Sequence, residues 1–574
     1  MKRIPRPEHP NPQFLRENFL NLNGTWQFEI DNGATAENRE LYKKSAKLKQ
    51  SINVPFCPES KLSGVKHIDQ MAGVVYKRSV FVTPEQLEGL IFINFGAVDY
   101  SCVLYVNEKR VGEHKGGYIS FKFNITEFLE EGFNDVTLIV KDDSRNPMIP
   151  CGKQSGDYYS VGCYYTRTTG IWQTVWLEYT PKKYIESIKY SFNSDFTEVF
   201  METELVGNGE FTASVFFNGK KVGSGSLKTH GGRETLIISL SETHLWDLGQ
   251  GNLYDVKLNF EGDEVKSYFG MRSVKFNGYK FLLNGRSVFQ RTVLDQGFYP
   301  DGIYTAPTEK DLEKDIELSL SCGFNGARLH QKIFEPRFLY HCDRLGYMVW
   351  GEYPSWGLDN SNPQSIYSIL PEWMAEIKRD FNHPSIIGWC PQNESWHYGE
   401  DGRRHFKPAI QMIYDITKAL DSTRPCIDVS GGFQVAGDAF DIHTYDQNPE
   451  SFNSYFKDLP EDKETLKKVW MGSELNYDGK KPVFVSEFGG MLWSENKDNA
   501  WGYGDGPKTE KEFVERFRGL SNCLLNNRYI FGLCYTQLTD VEQEQNGLFY
   551  YNREPKFNPQ KFKDILSQKA AIED

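Results

Sequence analysis

The chain has 574 residues, 39% hydrophobic and 25% charged, a composition typical of soluble globular domains and long enough for about three of them at roughly 150 residues each. A formal net charge of −13 argues against a nucleic-acid surface, because neutralising phosphates requires clustered cations. No run reaches the roughly 18 apolar residues of a membrane helix, residues 1–10 lack the apolar core of a signal peptide, and the ten cysteines show no paired CxxC spacing. A cytoplasmic protein without cofactor or metal is therefore the expectation, with no nucleic-acid or membrane partner.

Residues 1–180 carry short alternating apolar runs at 25–30, 90–95, 103–106, 136–140 and 173–177, punctuated by Gly and Asn. That rhythm predicts a β-sandwich. Residues 181–275 continue it at 210–219, 234–239 and 254–260, over the length of a small immunoglobulin-like sandwich. From 276 to 574 the rhythm changes. Strand-like runs at 287–295, 326–331, 347–352, 385–392, 425–430, 439–445, 482–487 and 530–537 alternate with amphipathic stretches. One of these starts at a capping-box-like Thr308-Glu-Lys-Asp311 and places Leu312, Ile316 and Leu320 on one face. Eight strands alternating with helices predict a C-terminal (β/α)8 TIM barrel.

Two apolar runs end in carboxylates, Ser385 to Glu394 and Pro482 to Glu487. In a barrel, residues at the C-terminal strand tips carry the chemistry. Two carboxyls about 5–5.5 Å apart would cleave a glycosidic bond with retention: one protonates the leaving oxygen, the other attacks the anomeric carbon. Asn393 offers an amide to the sugar's 2-hydroxyl, a contact that strengthens in the transition state. Tyr445 follows the sixth strand and is placed to hydrogen-bond the nucleophile and keep it ionised; His443 lies two residues earlier. Gly489 and Gly490 would let the backbone approach a ligand. The plain alternative is a pair of solvated glutamates and a tyrosine that caps a strand.

With these motifs the chain resembles glycoside hydrolase family 2 along nearly its whole length. The likeness rests on Leu20-Asn-Leu-Asn-Gly-Thr-Trp26, Val54-Pro-Phe-Cys-Pro-Glu-Ser60, Thr169-Gly-Ile-Trp-Gln-Thr-Val-Trp-Leu177 and Phe381-Asn-His-Pro-Ser-Ile-Ile-Gly-Trp389 leading to Asn393-Glu394. The resemblance implies an N-terminal jelly-roll, an immunoglobulin-like sandwich and a catalytic barrel. It also implies Glu394 as acid/base, Glu487 as nucleophile and Arg328 as a cation near the nucleophile, with His330 lining the pocket. The family's sugar determinants are not intact. The Asn-Arg-His of familiar β-galactosidases is replaced by Arg291-Thr-Val-Leu-Asp-Gln296. Tyr164 stands where their sugar-domain aspartate precedes an arginine, here Arg167. The Asn-x-Lys of β-glucuronidases has no lysine in Gln545-Asn-Gly-Leu548.

The remaining candidates carry open alternatives. Asp295 and Glu352 end strands one and three and would bind sugar hydroxyls or pair with cations. Arg291 and Lys332 would hold a substrate carboxylate or form loop ion pairs. Trp493 is the favoured sugar platform over Trp356 and Trp396, Trp389 is expected in the core, and Asp540 would line the mouth or cap a turn. The expected activity is that of a retaining exo-β-glycosidase of β-galactosidase type on a carbohydrate substrate. The alternatives are a β-hexuronidase and, from another class, a non-catalytic carbohydrate-binding protein. A homo-oligomer is possible.

Overall fold

The structure is a computed structural model that describes residues 4–395, 406–461, 466, 469, 477–495 and 499–573. Its N-terminal part packs a six-stranded antiparallel sheet, with Gly24–Ile30, Gly73–Val82 and Gly132–Lys141 at its centre, on a four-stranded sheet containing Leu90–Phe95 and Val175–Thr180. Phe28, Leu104 and Leu138 from one sheet and Ile93, Phe95 and Leu177 from the other share a single core. The next part is a sandwich of three plus four antiparallel strands. Its alternation is clean: Tyr254, Val256, Leu258 and Phe260 point inward while Asp255 and Lys257 point out, as a sheet with one solvated face requires.

A small three-stranded sheet, Val274–Asn277, Lys280–Leu283 and Arg286–Ser287, leads into the barrel. It closes the N-terminal end, where Phe276 and Phe281 pack on Phe531, which stacks with Phe484. Seven parallel strands then follow in spatial order Ile386–Cys390, Met348–Glu352, Gly326–Leu329, Gln290–Asp295, Ile530–Thr536, Val483–Gly489 and Phe440–Thr444. Most are buried along their whole length, which explains why they read as continuous apolar runs rather than alternating ones.

The fifth position differs from the regular strand expected at 425–430. This segment pairs with strand four through Trp389 N–H to the Pro425 carbonyl at 3.0 Å, Ile427 N–H to the Trp389 carbonyl at 2.9 Å and Ser430 N–H to the Gln392 carbonyl at 2.9 Å. Toward strand six, carboxylates take the place of a main-chain ladder: Cys426 N–H donates to Asp438 Oδ2 at 2.8 Å and Gly431 N–H to Asp441 Oδ1 at 2.6 Å. The helix Glu309–Ser321 begins at the capping box of Thr308 and Asp311, with Leu312 and Ile316 buried and Leu320 half-buried.

The N-terminal sandwich leans on the barrel mouth. Cys151 and Gly152 N–H both donate to the Trp356 carbonyl, at 2.8 and 3.2 Å, and Tyr118 N–H donates to Glu372 at 2.7 Å. Among the described residues no helix is long and apolar enough to cross a membrane.

Candidate active site

The barrel topology gathers one group of polar side chains from five strand tips. Arg328 on strand two is 1% exposed. Its Nη1 donates to Glu487 Oε1 at 3.1 Å and to the Ser486 carbonyl at 3.0 Å, and its Nη2 donates to Glu352 Oε2 at 2.7 Å and Asn393 Oδ1 at 3.0 Å. A guanidinium suits this position because its planar fork can serve several acceptors at once. Glu352 also lies 2.9 Å from His330 Nδ1, whose other nitrogen is 4.0 Å from Glu487. The Tyr445 hydroxyl donates to Glu487 Oε2. His443 Nδ1 is 2.6 Å from Glu394 Oε1 and 3.5 Å from Glu487 Oε2. Among the described residues, the buried Asn393 Nδ2 has no hydrogen-bond partner.

Local backbone geometry sets these directions. Glu394 has φ of 45°, a left-handed conformation that costs an ordinary residue about 1–3 kcal/mol, and its N–H is held by the Ser430 carbonyl at 2.8 Å. Gly431 backs the His443 ring so closely that a Cβ there would lie 2.2 Å from it.

Electrostatics act strongly on Glu487. Burial opposes ionisation of Glu487, but His443, then His330 and Arg328, and the Tyr445 hydroxyl hold it down at about 2. Burial works against a charged His443 as well; Glu487, Glu394 and Asp441 outweigh it and raise the imidazole above its ordinary value. Burial and the Glu487 charge push the Tyr445 phenol well up, so it remains a donor. Donor atoms of Glu394, His443 and Glu487 all lie within 4.8 Å of one another, a spacing a cation could use. His443 already supplies a positive charge between the two carboxylates.

Four sequence candidates lie elsewhere. Arg291 belongs to the N-terminal half of strand one, the wrong end of the barrel, and pairs with Glu573 at 2.9 Å and with the Leu566 and Gln568 carbonyls. Lys332 turns beneath the loop after strand one and donates to the Gly297 and Tyr304 carbonyls at 2.5 and 2.8 Å; burial lowers its amine to about 7. Asp295 accepts from Gly297 N–H at 2.9 Å, and burial with Asp315 nearby raises its carboxyl to about 7. Trp493 follows the chain outward after strand seven and packs on Phe513 of the helix Glu510–Leu525 and on Phe557. Of the other readings, Trp389 is core, Asp540 caps a turn at Gly547 and binds Lys556, and Trp396 lies outside the described residues. Gly490 makes room for protein rather than ligand: a Cβ there would lie 2.5 Å from Tyr503 and 3.1 Å from Tyr445.

Of the second ring of residues, sequence reasoning named only Trp356 and Tyr164. Tyr503 stacks on Tyr445 with centroids 3.4 Å apart. Trp356 donates from Nε1 to the Asn393 carbonyl at 3.2 Å and faces Tyr164 at 5.2 Å. Glu544 accepts from Tyr165 and from Asn546 Nδ2 at 3.0 Å. Lys153 comes from the N-terminal sandwich and lies 4.2 Å over the Trp356 ring. None sits at a recognisable spacing from the glutamates. Glu544 had the nearest signal, lying in the loop that follows strand eight.

Comparisons with known proteins agree with this architecture. Residues 19–181 match the family described as glycosyl hydrolases family 2, sugar binding domain, and residues 274–569 match glycosyl hydrolases family 2, TIM barrel domain. A putative beta-glucuronidase of Formosa agariphila is 29% identical over 384 residues, covering 62% of this chain and 44% of that protein. A beta-galactosidase of Thermoanaerobacterium thermosulfurigenes is 27% identical over 503 residues, covering 83% and 65%. The chain thus spans about half to two thirds of these relatives' lengths. The structure of a β-glucuronidase from Ruminococcus gnavus in complex with D-glucuronic acid superposes with TM-score 0.76 at 18% identity, over 98% of this chain and 99% of that one. A Lactobacillus rhamnosus beta-glucuronidase does so with TM-score 0.77 at 20% identity, over 99% of both. At these identities the structures share a fold. With its barrel and sugar-binding domain both matched, the chain belongs to glycoside hydrolase family 2.

Proposed function

We propose that the protein is a retaining exo-β-glycosidase acting on β-hexuronides. The observation that carries the reaction is the carboxylate pair: oxygens of Glu394 and Glu487 lie within 4.8 Å, near the roughly 5–5.5 Å of retaining sites and short of the roughly 6.5–9.5 Å that leaves room for an inverting water. Glu487, ionised and buried, attacks the anomeric carbon. As the glycosidic C–O bond breaks, Glu394 gives a proton to the leaving oxygen, and the sugar remains as an ester of Glu487. Glu394 then takes a proton from water, whose oxygen attacks the same carbon and frees Glu487. Asn393 Nδ2, buried and unpartnered among the described residues, is the donor for the sugar's 2-hydroxyl, and Arg328 fixes that amide by binding its oxygen. A purely binding protein would not need two carboxylates so close together, one of them buried and held ionised.

Support for the sugar class comes from the similar proteins. Solved structures that align over nearly the whole chain are β-glucuronidases, which favours the hexuronide over the β-galactoside expected first from sequence. The second reading, a β-galactosidase, is favoured by the relative of that name that matches 83% of the chain. Hydrolysis of p-nitrophenyl β-D-glucuronide, β-D-galacturonide and β-D-galactoside decides between them. Higher kcat/KM on either uronide supports the proposal; higher kcat/KM on the galactoside overturns the sugar assignment. With the best substrate, Glu394→Gln should lower kcat/KM by on the order of 10³-fold or more. An unimpaired variant would remove Glu394 from its role.

A further inference from the structure

Resting on the hexuronide reading, we infer that Lys153, contributed by the N-terminal sandwich rather than by the barrel, is the cation that binds the substrate carboxylate. The backbone around it is fixed against the barrel. Cys151 and Gly152 N–H hold the Trp356 carbonyl, the Lys153 carbonyl accepts from Tyr165 N–H at 2.7 Å, and a Cβ on Gly152 would lie 2.4 Å from the Gln331 carbonyl, so the segment touches the loop after strand two. The side chain then runs over the face of Trp356, the residue whose indole N–H holds the main chain at Asn393, next to Glu394.

Lys153 is only 5% exposed, and among the described residues its ammonium makes no hydrogen bond and no ion pair. A nearly buried ammonium has three donors to satisfy, and an anionic acceptor in the mouth would satisfy them. Burial opposes its charge, yet Cys163, Glu544, Glu487 and Glu394 around it keep it protonated. Among the described residues, the cations nearby are occupied: Arg328 by Glu352 and Glu487, Lys332 by two carbonyls, and Lys556 by Asp540. A carboxylate on the sugar ring would pair directly with this ammonium, whereas a hydroxymethyl group would offer it no charged acceptor. The chain thus places on its N-terminal sandwich a cation that the stretch Gln545-Asn-Gly-Leu548 after strand eight lacks.

The test compares p-nitrophenyl β-D-glucuronide with its methyl ester, and the galacturonide with its ester, for wild type, Lys153→Met and Lys153→Arg. The expected wild-type preference for acid over ester in kcat/KM is on the order of 10²–10³, the scale of a buried charge pair. Lys153→Met should collapse that ratio toward one, and Lys153→Arg should retain most of it. A wild-type ratio near one overturns the inference without any variant. A Lys153→Met enzyme that still prefers the acid overturns it while leaving the hexuronide reading intact. A wild type that turns over galactosides but no uronide overturns both.

Discussion

In the proposed mechanism Glu487 attacks only while ionised, and after burial the largest influence on it is the charge of His443, ahead of His330 and Arg328. Removing that charge must raise the carboxyl from about 2 toward its ordinary 4.5. A group whose folded pKa is depressed stays charged at any pH above it, so wild-type activity should not lose its nucleophile at pH 5. In His443→Asn the acid limb of the kcat/KM profile should move up by about one unit or more. An unmoved limb would mean that His443 does not tune Glu487. The carboxylates themselves were legible in the sequence because each ends an apolar run. Arg328, His443 and Tyr445 were legible from strand position and from resemblance. Lys332, Arg291 and Trp493 misled because residue type near a strand tip does not say which way the chain turns next. Lys153 was illegible because nothing local links it to Glu394.

At the level of elements, all eight barrel strands were expected from the sequence and seven form regular strands. The fifth does not form a regular strand, because Asp438 and Asp441 take over hydrogen bonds that a neighbouring strand would otherwise receive. This irregular segment holds Gly431 against His443. Gly431→Ala should therefore displace the imidazole, since its Cβ would lie 2.2 Å from the ring and the residue has φ of 62°. The expected result is a kcat/KM loss of about tenfold or more, because small misplacements of catalytic groups are costly. Wild-type kinetics in Gly431→Ala would show that the ring has freedom the packing denies it. The capping box at Thr308 and Asp311 was legible from four residues; the aromatic plug of Phe276 and Phe281 on Phe531 was not, because it joins segments about 250 residues apart.

Across the whole molecule, the junction of the N-terminal sandwich with the barrel is rich in buried acids. Burial raises Glu59 from 4.5, Asp142 from 3.8 and Glu372 from 4.5, each to about 7. Between those ordinary values and about 7 the folded chain binds protons that the unfolded chain has released, so stability must fall as pH rises through that window. The depressed Glu487 acts in the opposite sense, but only as pH falls toward 2. Melting temperature should therefore decrease from pH 5 to pH 7.5, and Glu372→Gln should flatten the slope. A melting temperature that rises over this range contradicts the assignment. The order of two sandwiches and a barrel was readable from the change in rhythm near residue 276. The leaning of the 151–165 segment over the barrel mouth was not, because docking between domains leaves no periodicity in either partner.

The central claim is that Glu487 becomes covalently bonded to the sugar. Incubation with the 2-deoxy-2-fluoro glycosyl fluoride of the sugar hydrolysed fastest slows release of that ester, and mass spectrometry of the protein and its peptides then locates it. The account predicts a mass increase equal to one fluorosugar on the peptide containing Glu487, lost in Glu487→Gln. Inactivation with the adduct on Glu394, or continued turnover by Glu487→Gln, would contradict it.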